Sequence, residues 1–188
     1  MSPSFKVVIV GGESSGKTSI VKRMFGRQVS AQEEPTVSVE CQDLSILIQS
    51  LNTKINFELY DLPGSERYMV LNRMYLRDTN AALIVYDATN RESMQAAEAW
   101  MQELRETAPE QCIVAVTGNK LDASNKQVGM QDGQAFARKH NLKIVSEVSA
   151  KTGESVDSLF QKLAVACYEN KDNFVSGLTA ILFNGDSF

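Results

Sequence analysis

The stretch FKVVIVGGESSGKTSIVKRMF, residues 5–25, holds three successive patterns. Residues 5–10 form a run of strand length, apolar except at Lys6, as in a strand covered on both faces. Gly11, Gly12, Glu13, Ser14, Ser15, Gly16, Lys17 and Thr18 then fit the spacing G-x-x-x-x-G-K-[S/T]. Residues 17–25 suit a short helix. Glycines let a backbone wrap a phosphate, and amides at a helix N-terminus point at its oxygens. In this spacing Lys17 brings a charge to the β- and γ-phosphates, and the Thr18 hydroxyl brings a ligand to Mg²⁺. The loop alone separates neither ATP from GTP nor an NTPase from a kinase.

Outward from that loop, strand and helix patterns alternate. Residues 37–48 and 54–60 read as two strands joined by a turn at 50–53. In the second, Ile55, Phe57 and Leu59 alternate with polar residues, so one face is buried. The runs 81–86 and 112–116 suit central strands, and 142–145 a last one. Between them, 91–107 carries Met94, Ala97, Trp100, Met101 and Leu104 on one helical side, with Ser93 as its cap and Pro109 past its end. Residues 131–140 are a second amphipathic segment. Residues 155–168 are a final helix with Val156, Leu159, Phe160, Leu163, Ala164 and Cys167 on one stripe. Strands alternating with helices of this length imply a mostly parallel α/β sheet.

Composition narrows the class. The chain has 188 residues, 43% apolar and 22% charged, which suits one compact domain rather than a disordered chain. Lys and Arg total 19 against 23 acids, a net charge of −4, and basic residues form no cluster. That argues against a nonspecific nucleic-acid binder or a polybasic membrane clamp. No apolar run approaches the roughly 20 residues that span a bilayer. Cys41, Cys112 and Cys167 are odd in number and sit among apolar neighbours, which suits packed, reduced thiols. His140, the only histidine, is expected at the surface or as a helix cap, and Trp100 in the core.

Asn119-Lys120-Leu121-Asp122 follows directly on the strand at 112–116. In parallel sheets that edge is where ligands bind. A carboxylate there accepts both the N1–H and the 2-amino group of guanine, a donor pair that adenine lacks. Asn119 can bond the acceptor edge, and the Lys120 stem can lie along the base. Ser149-Ala150-Lys151, after the last strand, can supply a backbone N–H to guanine O6.

With these motifs in order, residues 5–170 resemble the Ras-like small GTPases, most closely the Rab branch. Asp61-Leu62-Pro63-Gly64 looks like the family's D-x-x-G, and residues 68–87 (YMVLNRMYLRDTNAALIVYD) resemble Rab sequence. Thr36 lies 18 residues beyond Thr18, where the family places its switch I threonine. The resemblance implies a P-loop NTPase three-layer α/β sandwich. Its six-stranded, mostly parallel sheet has one antiparallel edge strand and about five helices. It implies GTP/GDP and Mg²⁺, the ion held by Thr18, Thr36 and Asp61. The nucleotide would lie on Glu13, Ser14, Ser15, Gly16, Lys17, Thr18, Ser19, Thr36, Gly64, Asn119, Lys120, Asp122, Ser149, Ala150 and Lys151. Lys17 and Thr36 would serve hydrolysis. Switch segments at about 29–39 and 61–75 would meet effector, exchange and activating proteins.

Four departures qualify that picture. Ser65 stands at the usual water-orienting glutamine, which predicts slow intrinsic hydrolysis. Glu13 replaces a small residue near the γ-phosphate. Val29 lies where an aromatic residue often stacks on the guanine, with Phe25 nearby as a substitute. Tyr60, Ser38 and Cys41 stand where tryptophan, glycine and phenylalanine are common. No prenylation cysteine or basic cluster follows Cys167, so no lipid anchor is expected. An apolar extension at 171–188, with FVSGLTAILF at 174–183, is expected to dock as an extra helix or to lead into further chain. The expected protein is a cytoplasmic Rab-like switch in vesicle traffic, recruited to endomembranes through partners. The alternative is a hydrolysis-deficient module that holds nucleotide to display a surface, and a P-loop kinase is a distant third.

Overall fold

The computed structural model describes residues 2–30 and 34–174. Its strands are β1 (Ser4–Gly11), β2 (Glu40–Ile48), β3 (Thr53–Asp61), β4 (Ala81–Asp87), β5 (Ile113–Asn119) and β6 (Ile144–Glu147). Its α-helices are α1 (Lys17–Met24), α2 (Met69–Leu76), α3 (Glu92–Thr107), α4 (Met130–His140) and α5 (Val156–Glu169). A single 3₁₀ turn, Glu66–Tyr68, precedes α2. The strand order is β2-β3-β1-β4-β5-β6, with β2 antiparallel to β3 and every other pair parallel. The architecture is the expected α/β sandwich with its antiparallel edge strand.

Two cores lie on the two faces of the sheet. On one, Phe5, Val7, Ile9, Ile55, Phe57 and Leu59 meet Ile20 and Val21 of α1 and the whole α5 stripe. On the other, Val8, Val10, Ile84 and Tyr86 meet Ala97, Trp100, Met101 and Leu104 of α3 and Phe136 of α4. β4 is buried along its full length, as its unbroken apolar run requires. Truncating a buried aromatic side chain at such sites costs about 3–5 kcal/mol. Both layers therefore hold the loops at the sheet's C-terminal edge firmly.

Several local expectations are corrected. β2 starts at Glu40 rather than at 37, because Glu40 pairs with Asp61, the last residue of β3, and residues 37–39 have no strand beyond it. The last strand starts at Ile144, because Asn141 turns left-handed (φ 58°) and Leu142 N–H closes α4 on Ala137 O. Ser93 is not the cap of α3. Its Oγ accepts from Asp87 N–H (2.9 Å) and donates to Asn90 O (2.6 Å), which pins the turn between β4 and α3.

Cys41 is exposed, because it lies on the face of edge strand β2 opposite Ile46 and Ile48, which pack in the core with α5; Cys167 is buried and Cys112 only partly covered. Burial pushes the Cys112 thiol up to about 12 and raises Cys167 as well. His140 is neither a surface residue nor a cap. Its side chain is 6% exposed, and Nε2 lies 2.8 Å from a carboxylate oxygen of Glu98, whose other oxygen takes Lys139. The pair ties α4 to α3. Of the apolar extension, 171–174 is helical and Phe174 is buried against the Phe5 ring (5.8 Å between centroids). The rest of that segment, 175–188, lies outside the described residues.

Candidate functional site

Five loops at the C-terminal edge of the parallel strands enclose a cavity of about 460 Å³. Its wall includes Glu13, Ser14, Gly16, Lys17, Thr18 and Ser19 from the phosphate loop, and Thr36, Gly64 and Ser65 from the two switch segments. Asn119, Lys120 and Asp122 meet Ala150 and Lys151 at its other end. Ser15 and Ser149 are fully buried just behind it.

The phosphate end is crowded by its own backbone. Lys17 is almost fully buried and donates from Nζ to Gly12 O (2.9 Å) and Gly11 O (3.2 Å). Burial lowers its ammonium to about 8, against the raising fields of Asp61 and Glu13. A Cβ on Gly64 would meet Lys17 Nζ at 2.4 Å and Gly12 O at 2.7 Å, so only glycine lets the second switch approach this closely. Buried Asn72 holds that approach in place, donating from Nδ2 to Pro63 O at 3.0 Å. Ser15 Oγ is buried without a hydrogen-bond partner, directly in the loop's turn.

Thr18, Thr36 and Asp61 converge. Thr18 Oγ1 lies 2.8 Å from Thr36 Oγ1 and donates to Asp61 Oδ2 at 2.5 Å. Asp61 Oδ1 is buried with no hydrogen-bond partner, and burial pushes this carboxyl up to about 6. One buried carboxylate and two hydroxyls are hard oxygen donors. They suit Mg²⁺, which takes one or two carboxylates and completes its shell with water and phosphate oxygens.

At the base end, Asn119 bridges two loops. Its Nδ2 donates to Ser15 O (3.0 Å) and its Oδ1 accepts from Ala150 N–H (3.0 Å), so one side chain joins the phosphate loop to the 149–151 loop. Gly16, at φ 88°, presses against it; a Cβ there would come within 2.1 Å of Asn119 Nδ2. Asp122 accepts from Ser149 Oγ at 2.6 Å, and that bond holds its carboxyl below the usual carboxylate range. It therefore stays ionised, as an acceptor of two purine donors needs to be.

Two functional contacts escaped the sequence. Lys120 turns left-handed (φ 69°) and pairs with Asp87 at 2.6 Å, while Asp87 also accepts from Thr89 N–H and Oγ1. The other is Arg23 of α1, which reaches the 149–151 loop. Asp87 did stand at a strand's end in the sequence, but nothing there gave its partner. Val29 lines the cavity, whereas Phe25 packs on the α1/α5 core under Arg27 and does not replace a stacking ring. Residues 31–33 of the first switch lie outside the described residues.

Comparison with known proteins agrees with this geometry. The Ras family model matches residues 6–169. The GTP-binding protein ypt5 of Schizosaccharomyces pombe is 37% identical over 161 residues, covering 85% of this chain and 75% of its own length.

Proposed function

The chain belongs to the Ras family of small GTPases, and from that premise we propose that it is a Rab-like GTP/GDP switch with slow intrinsic hydrolysis. The observation that carries the switch is the contact of Thr36 with Thr18 beside Asp61, which links the first switch segment to the phosphate helix. Mg²⁺ held by Thr18, Thr36 and Asp61 would neutralise charge on the β- and γ-phosphates. Lys17 and the loop amides bind the phosphates, Thr36 and the Gly64 N–H sense the terminal one, and Asp122 selects guanine. Loss of the γ-phosphate frees Thr36 and Gly64, and both switch segments change with it.

Ser65 sits in the cavity wall, but its side chain is about two bonds too short to orient the attacking water as a glutamine does. The partner surface is apolar: Val37 (62% exposed), Val70 (79%), Leu71 (63%) and Met74 (63%) come from both switch segments. Among the described residues no helix is long and apolar enough to cross a membrane. We further propose a cytoplasmic protein recruited to endomembranes by its partners and acting in vesicle traffic, a reading that rests on the resemblance of residues 68–87 to Rab sequence.

The test is single-turnover hydrolysis of GTP loaded with Mg²⁺, followed as the GTP-to-GDP ratio. The expected result is protein-dependent conversion slower than the roughly 10⁻⁴ s⁻¹ of ordinary Ras-type proteins. Conversion at that ordinary rate would overturn the slow-hydrolysis reading. GTP retained indefinitely would instead favour a second reading, a module that holds nucleotide to display a surface.

Glu13 supports that second reading. Its carboxylate lines the cavity, and its field reaches Lys17. Because Glu13 is exposed, solvent screens its repulsion of a γ-phosphate to about 1 kcal/mol. Glu13→Gly is therefore expected to shift the GDP/GTP affinity ratio toward GTP by about fivefold, measured by competition binding. An unchanged ratio would mean that the carboxylate does not face the phosphate.

A further inference from the structure

Arg23 lies on the last turn of α1, six residues beyond Lys17 of the phosphate loop. Its guanidinium reaches the 149–151 loop, 127 residues away in sequence. Nε donates to Ala150 O at 2.8 Å, and Nη2 donates to Lys151 O. The Arg23 stem crosses Gly153, where an added Cβ would meet Arg23 Cδ at 3.4 Å. Gly153 is left-handed (φ 88°) and donates its N–H to Ser149 O at 2.8 Å, which closes the loop around the arginine.

A trans peptide points its C=O and N–H in opposite directions. The Ala150 carbonyl and the Lys151 N–H share one peptide plane. Anchoring that carbonyl on Arg23 therefore turns the Lys151 N–H away from α1. Ala150 and Lys151 line the cavity while Arg23 does not, so the amide faces the cavity's base end. The neighbouring Ala150 N–H is already engaged by Asn119 Oδ1. The Lys151 N–H is then the amide of this loop that remains to meet a base.

We infer that Arg23 is a positioning residue for base recognition: it aims the Lys151 N–H at the purine 6-oxygen and couples the phosphate helix to the base loop. The inference deepens the guanine reading given above and rests on it. Arg23 itself does not line the cavity. It acts through the two carbonyls, and its bidentate, always-charged fork is what a single point donor does not reproduce.

The experiment compares the wild-type chain with Arg23→Ala and Arg23→Lys. Release of a fluorescent GDP gives the off-rate, and competition by GDP, IDP and 6-thio-GDP gives the base preferences. IDP lacks only the 2-amino group, which Asp122 reads; 6-thio-GDP replaces the 6-oxygen by sulfur, a weak acceptor. In Arg23→Ala, GDP release is expected to accelerate about 10–100-fold, less than two charge-assisted hydrogen bonds are worth, because Arg23 acts on the nucleotide only through the loop. The wild-type preference for GDP over 6-thio-GDP shrinks, while the preference for GDP over IDP stays. Arg23→Lys, with the stem and one donor kept, falls between the two, and it carries the comparison alone if Arg23→Ala does not fold.

Unchanged release and an unchanged 6-thio penalty would overturn the proposal. So would a parallel loss for all three nucleotides, because general loosening of α1 does not single out the 6-oxygen. If the wild-type chain itself fails to bind GDP, the guanine reading falls first and this proposal with it.

Discussion

Replacing Asp122 by asparagine is expected to lower GDP affinity by about 10²–10³-fold, the effect of losing one hydrogen bond to a charged acceptor, leaving its donor unpaired, and removing the charge from the other. The same change is expected to raise affinity for xanthosine diphosphate. Asp122 is well prepared to accept both guanine donors. Ser149 Oγ donates to it at 2.6 Å, Lys151 Nζ lies 3.6 Å away, and the bond from Ser149 holds its carboxyl ionised. An asparagine keeps one oxygen for the N1–H but presents an amide donor to the 2-amino group, a donor facing a donor. Xanthine carries an oxygen there, which the amide can serve. The fold is not at risk, because Ser149 can still donate to the remaining side-chain oxygen. Competition binding with GDP and XDP reads the result directly. An unchanged preference for GDP would remove Asp122 from base recognition.

The second large effect concerns the attacking water. Ser65→Gln is expected to raise single-turnover GTP hydrolysis by about 10–100-fold, toward the lower part of the range typical of a positioned general acid–base or water-orienting group. The rest of the machinery is in place for that gain. Lys17 is buried at the phosphate end, and Gly64 is packed so close to it that no side chain fits between. Asn72 holds the Pro63 carbonyl, so the segment that carries residue 65 leaves a fixed point. Electrostatic positioning of this kind remains when the water-orienting group is changed. A glutamine variant with the wild-type rate would show that residue 65 does not face the water, and that the deficit lies elsewhere, with Glu13 the nearest suspect.

Legibility in the sequence followed the range of each contact. The phosphate loop, Asn119 to Asp122 and Ser149 to Lys151 are short runs whose chemistry is complete within a few residues. The strand and helix periods place them at one edge of a parallel sheet, and the structure brings them around one cavity. The α5 stripe from Val156 to Cys167 was equally readable, because a helix of that period has only one apolar side to bury. Boundaries were harder. Residues 37–39 have strand-like composition but no strand beyond Asp61 to pair with, and pairing is what makes a strand.

Side chains whose partners lie far along the chain were misread or missed. Ser93 looked like a cap by position and instead pins Asp87 and Asn90. His140 looked exposed at a helix end and instead pairs with Glu98, 42 residues earlier. Cys41 was read as packed, yet it lies on the outward face of an edge strand and is left in solvent.

The sequence by itself determined the family, the sheet, the phosphate loop and the residues proposed to name the base, because those depend on residue type at fixed local spacing. Only the tertiary structure decided that Asp87 takes Lys120 and that Arg23 holds the 149–151 loop. It alone left an Asp61 oxygen buried without a partner. The two long-range contacts join residues 33 and 127 positions apart. Local pattern carries no record of which distant side chain will arrive; that is set when the two cores close on the sheet and fix where its edge loops meet.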